Sequence, residues 1–439
     1  MTSSKITDST CHDVVVIGGS LAGLMCGLAA KHAGHNVQII EQASSARQSH
    51  QAGIGLAPYV NAFLEHHDRL VNGFTHHTAN LKALKSKGAL QVLSSQERSL
   101  TSWDAFYYRL RSLYDGHISP YYPTAPSSAG TDGSTIYKSR NKVLEITRLR
   151  ECGSSLSLDV LDLDTGKTSR LKADYIIGAD GPDSLIRAKF LPDVQRQYAG
   201  YVVWRGIVPE GQVSDSTREL FSHSIVVHMM RQERTHCVVY MIPGANGSLK
   251  PGERLLNFIL YTNETPETLD DILVDAIDGH RHHNTVPAGR VRDEIWSNRV
   301  ERAVLDALPA PFLEVISKVK QPFVQVIADF CSPRAAFEDG RVLLIGDALA
   351  LFRPHAAAGS AQAAFHSLAV TEYLNGKISA QQWEEKVLKF SFLHWQQSIW
   401  WGNWYQKNIA IALISGLRFW TYVGIERVRS WWNNAESPI

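Results

Sequence analysis

Val14-Val15-Val16-Ile17-Gly18-Gly19-Ser20-Leu21-Ala22-Gly23 begins as a continuous β-branched run, turns on glycines and enters an alanine- and leucine-rich stretch that lasts to Ala33. A second apolar run, Val37 to Ile40, ends at Glu41. This order predicts strand, tight turn, helix and strand, the opening of a parallel sheet. Gly18 permits the tight turn, Gly23 lets helix and strand pack closely, and the helix N-terminus offers free N–H groups to a pyrophosphate. Ser20 replaces the middle glycine of a dinucleotide fingerprint, with Gly19 beside it to relax the turn. Glu41, at the end of the second strand, is placed to accept hydrogen bonds from a ribose diol. The fingerprint alone does not choose between NAD and FAD.

Two further motifs follow in order along the chain. Gly178-Ala179-Asp180-Gly181-Pro182-Asp183-Ser184-Leu185-Ile186-Arg187 lies in the middle, and Gly340-Arg341-Val342-Leu343-Leu344-Ile345-Gly346-Asp347-Ala348 lies late. Taken alone, a glycine-aspartate pair reads as a strand ending in an Asx turn. Together and in this order, the three motifs resemble the class A flavoprotein monooxygenases, the single-component FAD-dependent aromatic hydroxylases of hydroxybenzoate and salicylate hydroxylase type.

The resemblance implies an α/β fold: a Rossmann-like FAD-binding domain, an inserted mixed α+β substrate domain, and a C-terminal helical region. It implies FAD contacts at Gly18, Gly19, Ser20, Ala22, Gly23 and Glu41, with Asp180 linked to both FAD and NAD(P)H. Asp347 would bind the ribityl hydroxyls, a task suited to a carboxylate because it offers only acceptors. Gly346 belongs to the same motif. Arg47 lies where the family often has a basic residue near the adenosine and pyrophosphate. In Trp103-Asp104-Ala105-Phe106-Tyr107-Tyr108-Arg109-Leu110-Arg111, Arg109 is expected to meet the cofactor, with Arg111 as its competitor.

Nearest the chemistry, Arg353-Pro354-His355-Ala356-Ala357-Ala358-Gly359-Ser360-Ala361 would pass along the flavin ring. Pro354, Ala358 and Gly359 are the expected ring contacts, and the following helix N-terminus would stabilise negative charge on reduced flavin. His355 would bind substrate or shuttle its proton, or else be structural. Ser360-Ala361 and His366 depart from the family pattern, which often has a second glycine and an acid there. This segment, with Tyr201-Val202-Val203-Trp204-Arg205-Gly206 and Ser332-Pro333-Arg334-Ala335-Ala336-Phe337, is most similar to the dihydroxypyridine hydroxylases and their fungal relatives.

The implied activity is NAD(P)H- and O2-dependent hydroxylation of a phenol, hydroxybenzoate or hydroxypyridine, extending to secondary metabolites, through a flavin C4a-hydroperoxide. NAD(P)H would dock transiently, because no second fingerprint is visible between Ser184 and Val342. Oxidative decarboxylation or epoxidation by the same intermediate is the alternative, and an FAD-dependent dehydrogenase without oxygen insertion a further one. The halogenase signature W-x-W-x-I-P is absent.

The domains implied are residues 1–190 and 331–380 for FAD, 191–330 for substrate, and 381–439 for a Trp-rich helical region. Strands are expected at 143–146, 156–163, 167–172, 201–207, 224–229 and 237–243, with helices near 267–280 and 300–310. Strand alternation sends Tyr201, Val203 and Arg205 to one face and Trp204 to the other. Tyr201 and Arg205 join His355 as candidate catalytic residues.

Bulk properties narrow the partners. The 439-residue chain has a net charge of +1 and no basic stripe for nucleic acid, so small molecules are expected. Five widely spaced cysteines without a C-x-x-C pair fit a reducing, cytoplasmic setting, and the polar N-terminus carries no signal-peptide pattern. Eighteen histidines include clusters, but none has metal-ligand spacing, so no metal is expected. Eight of the eleven tryptophans lie after residue 380, where Ile409 to Ile425 is apolar, interrupted by Arg418, and short for a membrane span. A helical lid, a membrane-surface helix or an oligomer contact is expected there.

Overall fold

A computed structural model describes residues 11–44, 52–85, 88–148, 156–305 and 308–435, with backbone alone at 305 and 430–435. A six-stranded sheet carries the expected opening: Ala336–Phe337, Val342–Leu344, Tyr175–Gly178, Asp13–Ile17, Asn36–Ile40 and Thr135–Lys138, in that spatial order. Its last five strands run parallel. Val14 to Ile17 are buried, as a strand covered on both faces must be. Helices Leu21–His32, Trp103–Asp115 and Gly359–Leu374 pack together against this core. Ile17, Ile40, Gly178 and Leu344 all end their strands at the same edge. Ligands of open parallel sheets bind at that edge.

The second sheet orders Thr285–Val286, Phe323–Cys331, Gln197–Pro209, Leu255–Asn263, Thr235–Ile242, Ser224–Met230, Asn80–Leu84 and Leu90–Ser94. Alternation along Gln197–Pro209 separates its side chains as expected. Val202, Trp204 and Val208 join a core with the helix Ala310–Lys318, while Tyr201 and Val203 pack on the opposite face. Residues 80–94 cross the boundary expected at 190, since Asn80–Leu84 pairs in parallel with Ser224–Met230.

Two helix expectations change. The first helix covers only Pro266–Ile272, because the Asp275 carboxylate takes the Ile277 amide at 2.8 Å and anchors a loop through His282 and Arg290. The second becomes Asp293–Leu305 and Ala310–Lys318, divided by Pro309 and Pro311, which suit a helix start but not its interior.

The C-terminal region forms two helices, Ala380–Gln406 and Ile409–Ala435. Ser379 and Gln382 close a capping box at the start of the first. The second runs ten residues past Ile425. Its 21-residue stretch Ile409–Arg429 is long and apolar enough to cross a membrane by length and composition alone, contrary to the expectation that it falls short.

Candidate active site

The strand edge opens into a cleft of about 1100 Å³, lined by residues of all three motifs. Gly18 has φ +100, and a Cβ there would lie 2.3 Å from the Ala179 carbonyl oxygen. At Gly23 a Cβ would lie 1.9 Å from the Gly18 carbonyl oxygen. These contacts bring helix, strand and the aspartate motif together around one turn. Glu41 holds it from the other side, accepting from Gly19 N–H and Ala43 N–H at 2.7 Å each. Gly18, Ser20, Ala22 and Glu41 line the cleft, whereas Gly19 and Gly23 support it from behind.

Two helices present uncapped N-termini here. Neither Ser20, before Leu21–His32, nor Ala358, before Gly359–Leu374, makes a side-chain cap bond, and neither first turn contains an acid. Free backbone donors on the wall of a cleft are the arrangement that receives anionic groups. Ala357, at φ +49, turns the chain into the second helix. Pro354, Ala358 and Gly359 all line the cleft.

Asp180 and Asp347 supply its carboxyls. Asp180 Oδ2 accepts from Leu185 N–H at 2.7 Å, while Oδ1 is buried without a partner among the described residues. Burial raises the pKa of Asp180, opposed by hydrogen bonds from Ser184 and the backbone. Gly346 sits at φ +58, where a Cβ would lie 2.7 Å from that of Ala22. Asp347 is exposed to the cleft yet enclosed by its walls, and this desolvation pushes its carboxyl up to about 6, countered by Arg196. His366 accepts the Gly346 N–H at Nδ1 (3.0 Å) and faces Ser391 Oγ at 3.2 Å through Nε2. The residue that departs from the family pattern therefore anchors the Asp347 turn.

The second sheet floors the other end of the cleft with Val203, Arg205, Tyr240, Ile259 and Tyr261. Arg205 Nη2 donates to the Gly53 carbonyl at 2.9 Å instead of pairing with an acid. Gly53 is tied to the same sheet, its N–H donating to Asn257 Oδ1 at 3.0 Å. A Cβ at Gly53 would collide with the Tyr240 ring. Gly53, Ile54 and Gly55 line the cleft, a contribution missed in the sequence although its Gly-x-Gly pattern was visible.

His355 and Tyr201 do not line the cleft. Tyr201 is fully buried, and its hydroxyl shares a 2.9 Å hydrogen bond with His355 Nε2. Around His355 stand His236, Tyr261 and Tyr405, with His236 stacked between the two tyrosines. Tyr201 is thus a positioning residue, a correction to its expected catalytic role: the strand pleat turns it toward the Arg353–His355 segment. The helix Ala380–Gln406 clasps that segment. Asp329 accepts from Arg353 Nε at 2.6 Å and Trp395 Nε1 at 2.7 Å, and Asn403 accepts from Arg353 Nη1 at 3.1 Å.

The expected cofactor arginine is also corrected. Arg109 is 2% exposed and donates to Asp68 and to the carbonyls of Leu70 and Asn72, away from the cleft. Its competitor Arg111 pairs with Asp115, donates to the Tyr107 hydroxyl and stacks on Tyr137. Tyr137 in turn donates to the Gly19 carbonyl at 3.2 Å, so Arg111 braces the fingerprint turn indirectly. Arg47 lies outside the described residues.

Buried histidines give the fold a pH dependence. Desolvation lowers His236 and His366 to about 3, and His32 and His67 to about 4, with His355 well below its ordinary 6.5. The unfolded chain takes up these protons near 6.5, whereas the folded chain resists until its lowered values. Stability is therefore full above about 6.5 and falls with pH toward 3–4, by up to ~1.4 kcal/mol per pH unit for each of the fully enclosed His236 and His366, and by less for the half-buried His32, His67 and His355, where solvent screens the charge. The raised carboxyls of Asp180 and Asp347 act in the opposite sense, with fewer protons. Thermal melts are expected to drop steeply from pH 7 to 5; a flat profile contradicts these buried neutral histidines.

Comparison with known proteins agrees with this geometry. A family model described as FAD binding domain matches residues 13–103, and one described as FAD binding domain-like matches 198–329. The 2,6-dihydroxypyridine 3-monooxygenase of Paenarthrobacter nicotinovorans is 27% identical over 388 residues, spanning 86% of this chain and 87% of the relative. The solved 2,6-dihydroxypyridine-3-hydroxylase from Arthrobacter nicotinovorans shares the fold at TM-score 0.72 and 24% identity, over 90% of this chain and 91% of that one. A salicylate hydroxylase substrate complex does so at TM-score 0.65 and 16% identity, over 96% and 95%. With its dinucleotide cradle joined to a sheet-floored cleft, the chain belongs to the class A FAD-dependent aromatic monooxygenases.

Proposed function

We propose that this monooxygenase uses NAD(P)H and O2 to hydroxylate an electron-rich aromatic of phenol, hydroxybenzoate or hydroxypyridine type. The observation that carries the reading is the continuity of one cleft, from the uncapped helix ends and the Asp180 and Asp347 carboxyls of the cradle to the Tyr240, Tyr261 and Arg205 floor. Relatives named for a dihydroxypyridine and for salicylate support an aromatic substrate.

Gly18, Ser20 and Glu41 would hold the adenosine and pyrophosphate side of FAD, Asp347 its ribityl hydroxyls, and Pro354, Ala358 and Gly359 its ring. Bound FAD supplies two-electron reduction by NAD(P)H and the activation of O2. The chain itself binds and orients the reactants. The Gly359–Leu374 amides favour negative charge at the ring end, Arg205 offers a cation to a phenolate or carboxylate oxygen, and the apolar floor excludes water. His355, kept neutral, and Tyr201 would support the Arg353–Pro354 segment from behind the cleft wall.

Replacing Asp347 by Ala removes acceptors that charge-assisted hydrogen bonds need, worth roughly 1.5–3 kcal/mol. The variant is expected to retain ~10- to 100-fold less FAD after desalting; full occupancy contradicts the role given to Asp347. Activity is tested by NADH and NADPH oxidation, with hydrogen peroxide quantified, against hydroxylated benzoates, phenols and pyridines. Stimulation with little peroxide is expected for a true substrate, and no stimulation across all three classes contradicts the substrate assignment.

A further inference from the structure

The C-terminal helix Ile409–Ala435 lies antiparallel along Ala380–Gln406 for most of its length. Ala412, Gly416 and Phe419 face the body of the protein, Trp400 stacks on Phe419 at 5.5 Å, Phe392 meets Tyr422 at 4.8 Å, and Lys389 pairs with Glu426 at 2.6 Å. The opposite face is uncovered. At ~100° per residue, Trp420, Leu413, Leu417, Val428, Ile414 and Ile425 fall in that order around an arc of roughly 140°. All six are exposed, Leu417 by 72% and Ile414 by 69%. Arg427 stands at one border of the arc, and Arg418 and Arg429 at the other; all three are exposed.

We infer that this face docks in the plane of a lipid bilayer bearing anionic headgroups, with the six apolar side chains entering the acyl boundary and the border arginines reaching phosphates. Three observations choose this occupant. The apolar band runs from Leu413 to Val428, about 24 Å of helix, and Thr421, the polar side chain within it, donates to the Leu417 carbonyl of its own helix. Its borders are cationic, and Glu426, the sole acid of the helix, is already held by Lys389 and Arg429. A second copy on the same face would bring like-charged borders together, whereas anionic headgroups complement them. Anchorage along Ala380–Gln406 makes the helix lie in the interface, since it cannot cross a bilayer without drawing in the body that carries it.

The test is flotation of the FAD-loaded full-length protein with phosphatidylcholine vesicles, with and without one-third phosphatidylglycerol. The wild type is expected to float with anionic vesicles. Leu413→Glu combined with Leu417→Glu, on the exposed face, should abolish flotation with flavin content unchanged. Arg418→Glu with Arg427→Glu should reduce it by about tenfold or more. A wild type that stays unfloated or floats equally with both vesicle types, a leucine variant that floats equally, or an arginine variant that floats with anionic vesicles as the wild type does overturns the proposal. A lipid-free dimer broken by the leucine substitutions also overturns it, in favour of a second copy of the chain.

Discussion

Gly23→Ala is expected to cost the protein its bound FAD. The added methyl would lie 1.9 Å from the Gly18 carbonyl oxygen and 3.3 Å from Val16 Cγ1, and the nearer obstacle is backbone, which cannot rotate away. Relief requires the helix Leu21–His32 to shift from its strand, carrying with it the uncapped N-terminus that faces the cleft. Overpacking of this kind costs typically ~1–3 kcal/mol, which on the cradle alone weakens FAD binding by ~10-fold or more. Gly27→Ala, one turn later, is the control. Its methyl meets only the side-chain ends of Ile39 and Tyr114 at 3.0 Å, so it is expected to lower stability modestly and keep FAD. Flavin absorbance per protein after desalting separates the two, and equal occupancy in both variants contradicts the account of the turn.

Asp329→Ala is the second large effect. Its carboxylate is 4% exposed and holds both the Arg353 guanidinium and the Trp395 indole, the clasp between the ring-side segment and the helix Ala380–Gln406. Breaking a buried pair while leaving its charge behind costs ~3–5 kcal/mol. The midpoint of thermal unfolding is expected to fall by several degrees. Turnover should fall further than stability alone explains, because Pro354 and His355 directly follow the freed arginine. Asp329→Asn, which can still accept one hydrogen bond, should recover part of both losses. If the alanine variant unfolds at the wild-type temperature, the clasp contributes nothing and the helix packs by apolar contact alone.

The parts legible in the sequence were those set by local chemistry. The glycines of the fingerprint, the acid ending the second strand and the late Gly-Asp turn are dictated by φ, clearance and strand order within a few residues, and they converge on one cleft. Alternation also separated Trp204 from Val203 and Arg205 correctly. Partner choice was not legible where it is long-range. Arg109 has the sequence setting of a cofactor arginine, but Asp68, on a loop 41 residues away, captures it. His355 and Tyr201 were singled out separately, while His236 and Tyr405, which complete their aromatic cluster, come from a sheet strand and the Trp-rich helix. Gly53 is required by Tyr240, far along the chain. His366 departs from the family pattern, and only its contacts with Gly346 and Ser391 give the departure a purpose.

Oxygen transfer in the cleft between cradle and sheet is the reaction proposed for this protein. Turnover under 18O2 with an aromatic that stimulates NAD(P)H oxidation, followed by mass spectrometry of the product, tests this most directly. One 18O atom per product molecule is the predicted result. An oxidised product that carries no label from O2 would contradict it and identify dehydrogenation as the reaction of this site.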